Sequence, residues 1–289
     1  MHNIEMGPLT FNLHRTVRVK VEETSNLPPS LGNFVIHKVK DFKCPETWDK
    51  DAYFIAMHSQ EAMWISFQTV EPVAIMIRAG NINAINGKEF KIELEKNGYL
   101  VTPPQPWLDG WKGDDGSVYQ FVATEVRENK TVGEQLIETK EHAIIISAFK
   151  AKNPEKLHSS RPHEEWFGGS KEDYWMPIKC CAFGESSCNM PQYALGNANL
   201  CNEMGLGKGG KIIQKIYEDP HGIEEWEEKP IKTIKIYLIN ASEFGEITGQ
   251  ALPEPVTSES YDGIWYGLKD KQIKDVPGTT VFDKLKSAI

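Results

Sequence analysis

Hydrophobic and polar positions alternate along much of the first half of the chain. In FNLHRTVRVKV, residues 11–21, apolar side chains fall on one side of an extended chain, and polar side chains such as Asn12 and His14 fall on the other. A period of two is typical of a strand with one buried face. Further strands are predicted at GNFVIHKV, DAYFIAM, AMWISF, VAIMIRA, EFKIEL, VYQFVATEV and HAIIISAFKA, separated by turn signals such as NG and GDDG.

The pattern changes between about residues 153 and 210, which are polar, aromatic and rich in Gly, Pro, Asn and Cys. Neither a strand period nor a helix period persists there, so the sequence predicts a long irregular region. Strand character returns in KIIQKIY and TIKIYLI, and TTVFDKLKSA near the end is consistent with a short helix.

These elements predict a mainly β protein with few helices and an antiparallel, sandwich-like architecture. We expect residues 1–150 to form the main β domain and residues 151–205 to form an irregular insertion rich in cysteine and aromatic residues. Residues 206–289 are expected to be a C-terminal β segment that packs on the main domain or extends it.

Composition narrows the classes of partner. The chain has 289 residues and a formal net charge of −9, and no run of Lys or Arg forms a basic stripe, which argues against nucleic-acid binding. No apolar stretch is long enough to predict a transmembrane segment, and no secretory signal is visible. The five cysteines are mostly clustered, which favours reduced thiols and a soluble, cytoplasmic protein.

Several strings resemble an uncharacterised protein family found in bacteria and fungi. They include EAMWISF, PPQPWLDG and MGLGKGGKIIQKIYEDPHG, and the resemblance covers most of the chain except the cysteine-containing middle. Near the end, YDGIWYG stands in place of the Pro-Trp-Phe string of that family. The resemblance implies no activity, cofactor or partner, so no functional residue is transferred from it.

The stretch VTPPQPWLDGW is the first candidate site, because it places two indoles around an Asp-Gly turn after three prolines. Trp107 and Trp111 at the lip of a loop, with Asp109 to accept hydroxyl hydrogen bonds, would suit a polar ligand such as a carbohydrate or peptide. Trp226 in a later loop is a further candidate. The alternative is that the indoles pack inward and close the loop on the protein.

The acidic stretch IYEDPHGIEEWEE is a candidate metal site. Six carboxylates lie within eleven residues around His221, from Glu218 to Glu228. Oxygen-rich clusters suit Ca²⁺ or Mg²⁺, and Asp219 with His221 would suit a transition metal. The stretch lacks the spacing of an EF-hand, and a solvated turn at DPHG is the alternative.

Four cysteines provide a second potential metal site, for zinc. They are Cys180, Cys181, Cys188 and Cys201. Thiolates are zinc ligands, but the paired C-x2-C spacing of zinc knuckles is missing. Buried free thiols or a disulfide are therefore the alternative interpretation.

Two other patterns carry weaker signals. GLGKGGKI matches the start of a phosphate-binding loop, but Ile212 stands where Ser or Thr would bind magnesium, so we interpret it as a glycine-rich turn entering a strand. His14, His58 and Glu61 are acid–base candidates, although a strand would place the last two on opposite faces.

The leading hypothesis is therefore a non-catalytic binding protein whose loops present aromatic and acidic side chains to a polar ligand. A metal-assisted hydrolase that uses carboxylates of the EDPHG loop with a histidine from the main β domain is the competing class. A structural subunit of a larger assembly, including a homo-oligomer built through exposed β edges, is the third.

Overall fold

A computed structural model describes residues 1–89, 91–159, 203–251 and 275–289 of the chain. Fifteen strands join in one sheet in which most neighbours run antiparallel, and the helices are short. The predicted mainly β, antiparallel fold with few helices is therefore confirmed. All four cysteines of the proposed zinc site lie outside the described residues.

The strands follow the alternating segments, with bounds that differ in places from the sequence prediction. They are β1 (Asn3–Met6), β2 (Leu9–Thr16), β3 (Thr24–Ser25), β4 (His37–Lys38), β5 (Tyr53–Met57), β6 (Ala62–Thr69), β7 (Val73–Ala79), β8 (Ile82–Asn83), β9 (Leu100–Thr102), β10 (Trp107–Leu108), β11 (Gly110–Lys112), β12 (Ser117–Glu125), β13 (Ile144–Lys150), β14 (Glu203–Ile213) and β15 (Lys232–Asn240). The helices are α1 (Val132–Ile137), α2 (Pro154–Ser159) and α3 (Ala241–Thr248).

The sheet consists of two groups of strands that β15 connects. One group runs β1-β2-β6-β12-β14, and the other runs β15-β13-β7-β8. β15 pairs antiparallel with β13 and parallel with β5, but it touches β14 only through two residue pairs. The sheet is therefore almost divided at this point, as expected for two layers of a sandwich.

A single large apolar cluster lies between the two groups. Alternate residues of strands from both groups contribute to it, and they are fully or almost fully buried. Representative members are Phe11, Ile65 and Phe121 from the first group, and Ile77, Ile146 and Ile236 from the second. Burial of this shared face is the main apolar contribution to the fold.

The glycine-rich stretch GLGKGG lies wholly within β14, not in a turn before the strand as the sequence suggested. A Cβ atom on Gly207 would lie 2.6 Å from the Cβ of Ala288, and one on Gly210 would lie 2.4 Å from the carbonyl oxygen of Lys20. Ala288 and Lys20 therefore pack directly against the backbone of β14. The glycines permit this close approach and do not form a phosphate loop.

The C-terminal segment is irregular, so the predicted helix over TTVFDKLKSA is wrong. Lys208 is 8% exposed, and its Nζ donates to the carbonyl oxygens of Asp283 and Leu285, both at 3.1 Å. The ring of Phe282 packs against Trp111, with centroids 5.3 Å apart. The Lys208 ammonium therefore satisfies two carbonyl oxygens that would accept backbone hydrogen bonds in a helix.

None of the helices in the described ranges is long and apolar enough to cross a membrane.

Candidate functional site

Strand register assembles a polar surface on the outer side of β1, β2, β6 and β10. Directly opposed residues of neighbouring strands share a face of the sheet, and the observed pairings align three rows. The rows are Glu5, Thr10 and Gln68; Asn3, Asn12, Ser66 and Trp107; and Asn33, His14 and Trp64. We call these residues the polar face. It is roughly 14 Å wide, given the usual spacing of about 4.8 Å between strands.

His14 forms the centre of one row. Its Nδ1 lies 2.9 Å from the Ser30 hydroxyl and its Nε2 lies 2.7 Å from the Ser66 hydroxyl. Its ring stacks on Trp64, and burial lowers its pKa to about 4. At neutral pH the imidazole is therefore uncharged, and both of its nitrogens are hydrogen-bonded. These contacts suit His14 to hold neighbouring side chains of the polar face in position.

Two glutamines fix the backbone that carries Trp107. The Gln105 amide donates to the Trp107 carbonyl at 2.9 Å, and the Gln214 amide donates to the same oxygen at 3.0 Å. The Trp107 ring meets Trp64 edge to face with centroids 6.4 Å apart, and both indoles are partly exposed. Trp107 thus stays at the protein surface and extends the aromatic end of the polar face.

Asp109 lies beneath this surface, with 1% of its area exposed. Burial raises the pKa of its carboxyl well above the usual range, and the indole of Trp107 offsets this only in part. No donor within the described ranges makes a hydrogen bond of normal geometry to either carboxyl oxygen. The site therefore favours the neutral carboxyl over the carboxylate, because an unpaired buried carboxylate is strongly disfavoured.

Trp111 is fully buried, and its indole nitrogen donates to the carbonyl oxygen of Gly207 at 3.1 Å. It also meets Phe121 edge to face at 5.2 Å. Trp111 therefore packs in the core and has no surface for a ligand, which corresponds to the inward-packing alternative. Of the two indoles in PPQPWLDGW, only Trp107 belongs to the polar face.

A second cluster forms around Asp219, far along the chain from the polar face. Its Oδ2 accepts from the Tyr99 hydroxyl at 2.6 Å and from the Trp226 indole at 2.7 Å. Its Oδ1 accepts from the backbone nitrogen of His221 at 2.8 Å. Burial and this carboxylate together raise the Tyr99 pKa. The arrangement closes the EDPHG loop on the protein, with Trp226 1% exposed beneath it.

The structure brings Asp219 and His221 together, but both oxygens of Asp219 already accept hydrogen bonds. Across the described parts of the chain, no group of three or more His, Cys, Asp or Glu side chains is arranged to hold a metal ion. The four cysteines of the proposed zinc site lie outside those parts. The zinc site and the calcium site both stay predictions.

His58 and Glu61 lie in a turn and not on a strand, and the contact between them involves the His58 backbone. The backbone nitrogen of His58 donates to Glu61 Oε2 at 2.9 Å. Glu61 also forms an ion pair with Arg15 at 2.6 Å, and its side chain is 2% exposed. The Glu61 carboxylate therefore holds the Arg15 guanidinium in place.

Sequence reasoning missed the other members of the polar face, notably Ser66 and Gln68. The signal was partly present, since FNLHRT and AMWISFQT both alternate in polarity. Alternation shows that a strand has a polar side, but only the pairing register shows which polar side chains lie opposite one another.

No protein-family model matches the sequence, and neither a curated protein nor a solved structure shows significant similarity to it. The resemblance to an uncharacterised bacterial and fungal family therefore stays a hypothesis.

Proposed function

We propose that this chain is a non-catalytic carbohydrate-binding protein and that it binds its ligand at the polar face. One observation carries the proposal. Strand register aligns hydroxyl, amide and imidazole side chains beside two partly exposed indoles, Trp64 and Trp107. Glu5, the charged member of the face, lies exposed on β1.

The chemistry of the face suits a neutral sugar. A sugar ring combines an apolar C–H surface with many hydroxyl groups, and indole rings offer apolar area with a π face. The amides of Asn12 and Gln68 both donate and accept hydrogen bonds, as a hydroxyl partner requires. Glu5 would accept hydrogen bonds from sugar hydroxyls at the rim of the face.

The state of His14 supports binding over catalysis. A general acid or base requires a pKa near the working pH and a nitrogen within reach of the substrate. The His14 pKa is lowered to about 4, and both ring nitrogens are engaged by serine hydroxyls. His14 is therefore suited to holding Trp64 and Ser66 in place.

The proposal is tested by screening neutral oligosaccharides and peptides on arrays, followed by calorimetry with the best binder. We expect an oligosaccharide to bind, and Trp107→Ala and Gln68→Ala each to weaken binding by about tenfold or more. Gln68 is exposed, so its replacement should leave the fold intact. Ile92→Ala is a control, because Ile92 is 62% exposed and lies outside the face.

Two results would count against the proposal. One is that no oligosaccharide binds the folded protein, and the other is that binding is unchanged by both face substitutions. Binding of a peptide alone would replace the carbohydrate with the other partner class considered from the sequence. A self-association lost on Trp107→Ala would instead support the homo-oligomer hypothesis.

The hydrolase hypothesis makes a separate prediction. A metal-assisted hydrolase that uses Asp219 and His221 should contain stoichiometric metal and lose activity on His221→Ala. Native mass spectrometry before and after chelation measures the metal directly.

A further inference from the structure

A cavity of about 180 Å³ lies between the end of β2, β5 and α3, apart from the polar face. It is lined by residues between Asn33 and His37, by Ala56 of β5, by Phe244 of α3 and by two residues that follow α3. Asn33 also borders the polar face, but the two sets of residues otherwise differ. The cavity is therefore a candidate site of its own.

Most of the cavity wall is apolar. Phe34, Val35, Ala56 and Phe244 contribute to this surface, and the uncharged polar groups beside it are one imidazole and two side-chain amides. Apolar walls with a few polar groups are the usual lining of a small-molecule site, in which the polar groups fix the orientation of the ligand. The ligand is therefore expected to be mainly apolar, with a small polar part.

The volume of the cavity limits this ligand to about one ring. An engineered protein cavity of about 150 Å³ is large enough to bind benzene. A cavity of about 180 Å³ therefore admits a six-membered ring with one or two small substituents. Drug-sized ligands are excluded, because they occupy pockets of at least about 300 Å³.

The charges around the cavity favour an uncharged ligand. The guanidinium at its wall belongs to Arg15, which is ion-paired at 2.6 Å with Glu61, whose side chain is 2% exposed. This pair carries no net charge, and no acidic side chain from the described ranges lines the cavity. An ionised ligand would lose its hydration without gaining an unpaired counter-charge, which is unfavourable.

His37 is the buried polar side chain of the wall. It is 8% exposed, and its Nε2 has no hydrogen-bond partner among the residues that the structure describes. Its ring lies among those of Phe42, Phe54 and Phe244, at centroid distances of 5.2 to 5.3 Å. Burial lowers the pKa of His37, so the imidazole is uncharged at neutral pH. Because a buried nitrogen without a partner is costly, a ligand group that pairs with it gains affinity.

A hydroxyl group on an aromatic ring fits these surroundings. A nitrogen of a neutral imidazole is a donor in one tautomer and an acceptor in the other, whereas a hydroxyl both donates and accepts. A phenolic hydroxyl also stays uncharged at neutral pH, because its pKa is about 10. The ring that carries it can pack against the phenylalanine rings of the wall in edge-to-face or offset stacked geometry.

We propose that this cavity binds a small uncharged phenol of one ring, with the ring against Phe34 and Phe244 and the hydroxyl hydrogen-bonded to His37. The ion pair of Arg15 and Glu61 takes no part in binding, other than by keeping the wall free of net charge. The proposal is independent of carbohydrate binding, because its ligand class and its site both differ.

The test uses three one-ring probes and ligand-observed fluorine NMR on the full chain. The probes are 4-fluorophenol, fluorobenzene, which lacks the hydroxyl, and 4-fluorobenzoate, which carries a charge. We expect 4-fluorophenol to bind at millimolar concentration or below, and 4-fluorobenzoate to bind about tenfold more weakly or worse. His37→Phe keeps an aromatic ring in the wall but removes the hydrogen bond. The affinity for 4-fluorophenol relative to fluorobenzene should therefore fall by about tenfold in this variant.

A variant at the exposed part of the wall locates the ligand and keeps the test decisive should His37→Phe fail to fold. Val35 is 45% exposed, so Val35→Trp should fold normally, obstruct the cavity and weaken 4-fluorophenol binding by about tenfold or more. Val21→Trp is the matched control, since Val21 is 44% exposed and does not line the cavity. It should bind 4-fluorophenol as the wild type does.

The proposal is overturned if 4-fluorophenol does not bind the folded wild-type protein at millimolar concentration, or if Val35→Trp binds it as the wild type does. It is equally overturned if 4-fluorobenzoate binds as well as 4-fluorophenol, or if folded His37→Phe keeps the wild-type ratio of the two neutral probes.

Discussion

The imidazole of His14 lies flat against the indole of Trp64, with ring centroids 3.8 Å apart and an angle of 9° between the planes. This stack and the two serine partners leave His14 only 5% exposed. Burial lowers its pKa from 6.5 to about 4. Between these two pH values, His14 is mainly neutral in the folded protein and mainly protonated in the unfolded chain.

The first prediction concerns stability against pH. Above pH 6.5 His14 is neutral in both states, whereas between pH 6.5 and about 4 mainly the unfolded chain is protonated. The contribution of His14 to the free energy of unfolding therefore falls as pH falls through this range, by about 3 kcal/mol in total. Urea denaturation of the wild type and His14→Gln at several pH values measures the difference. Other titrating groups, such as Glu203 with a pKa of about 7, are common to both proteins. A difference that stays constant with pH would contradict this account.

The second prediction concerns Asp109. Its folded-state pKa is raised well above 3.8, so the folded protein holds a proton that the unfolded chain has lost. The contribution of Asp109 to stability is therefore expected to fall as pH rises above about 4. Asp109→Asn is nearly isosteric and has no proton to lose, so it should gain stability relative to the wild type as pH rises from about 4. Thermal melts across this range check the sign, and a relative loss for the variant would refute it.

The third prediction separates the two tryptophans of PPQPWLDGW. Trp111→Ala should cost about 3–5 kcal/mol, because Trp111 is fully buried in the core. Trp107→Ala should cost clearly less, because its ring is partly exposed. Chemical denaturation measures both costs. Equal costs would show that Trp107 is also a core residue and would weaken the proposed face.

The fourth prediction compares two glycines. Gly210→Ala would place a Cβ 2.4 Å from a backbone oxygen, so it should destabilise the protein by more than about 1 kcal/mol. Gly245 lies inside α3, where the nearest atom to an added Cβ is 3.5 Å away. Gly245→Ala should therefore stabilise the protein by about 0.5–1 kcal/mol. Melting temperatures that move in the same direction for both variants would contradict the close crossing at β14.

The sequence was informative where alternation and burial agree. The segments that became β2, β6, β7, β12 and β13 were all recognised from their apolar positions, and so was the mainly antiparallel class. In contrast, residues 91–94 of the alternating EFKIEL segment do not form a strand. Local pattern shows only that a segment can be a strand, because pairing depends on a partner elsewhere in the chain.

The candidate site was harder to predict for the same reason. The sequence around Trp107 indicated a loop, but whether the neighbours of Trp107 face outwards depends on strand pairing and on the hydrogen bonds from Gln105 and Gln214. Asp109 and Trp111 were expected beside Trp107, and both are buried. Asn12 and Ser66, which face each other across two strands, are 54 positions apart in sequence and become neighbours only through register.

The position of β15 in the sheet bears on how the protein can be made in the cell. The register pairs Tyr53 of β5 with Ile236 of β15, and β14 and β15 together connect strands synthesised much earlier. A nascent chain emerging from the ribosome therefore exposes the inner faces of its early strands until these late strands have followed. Pairings of such long range form slowly, and open apolar strands are prone to aggregate. The fold thus makes chaperone protection most valuable until β15, which ends at Asn240, has emerged from the ribosome.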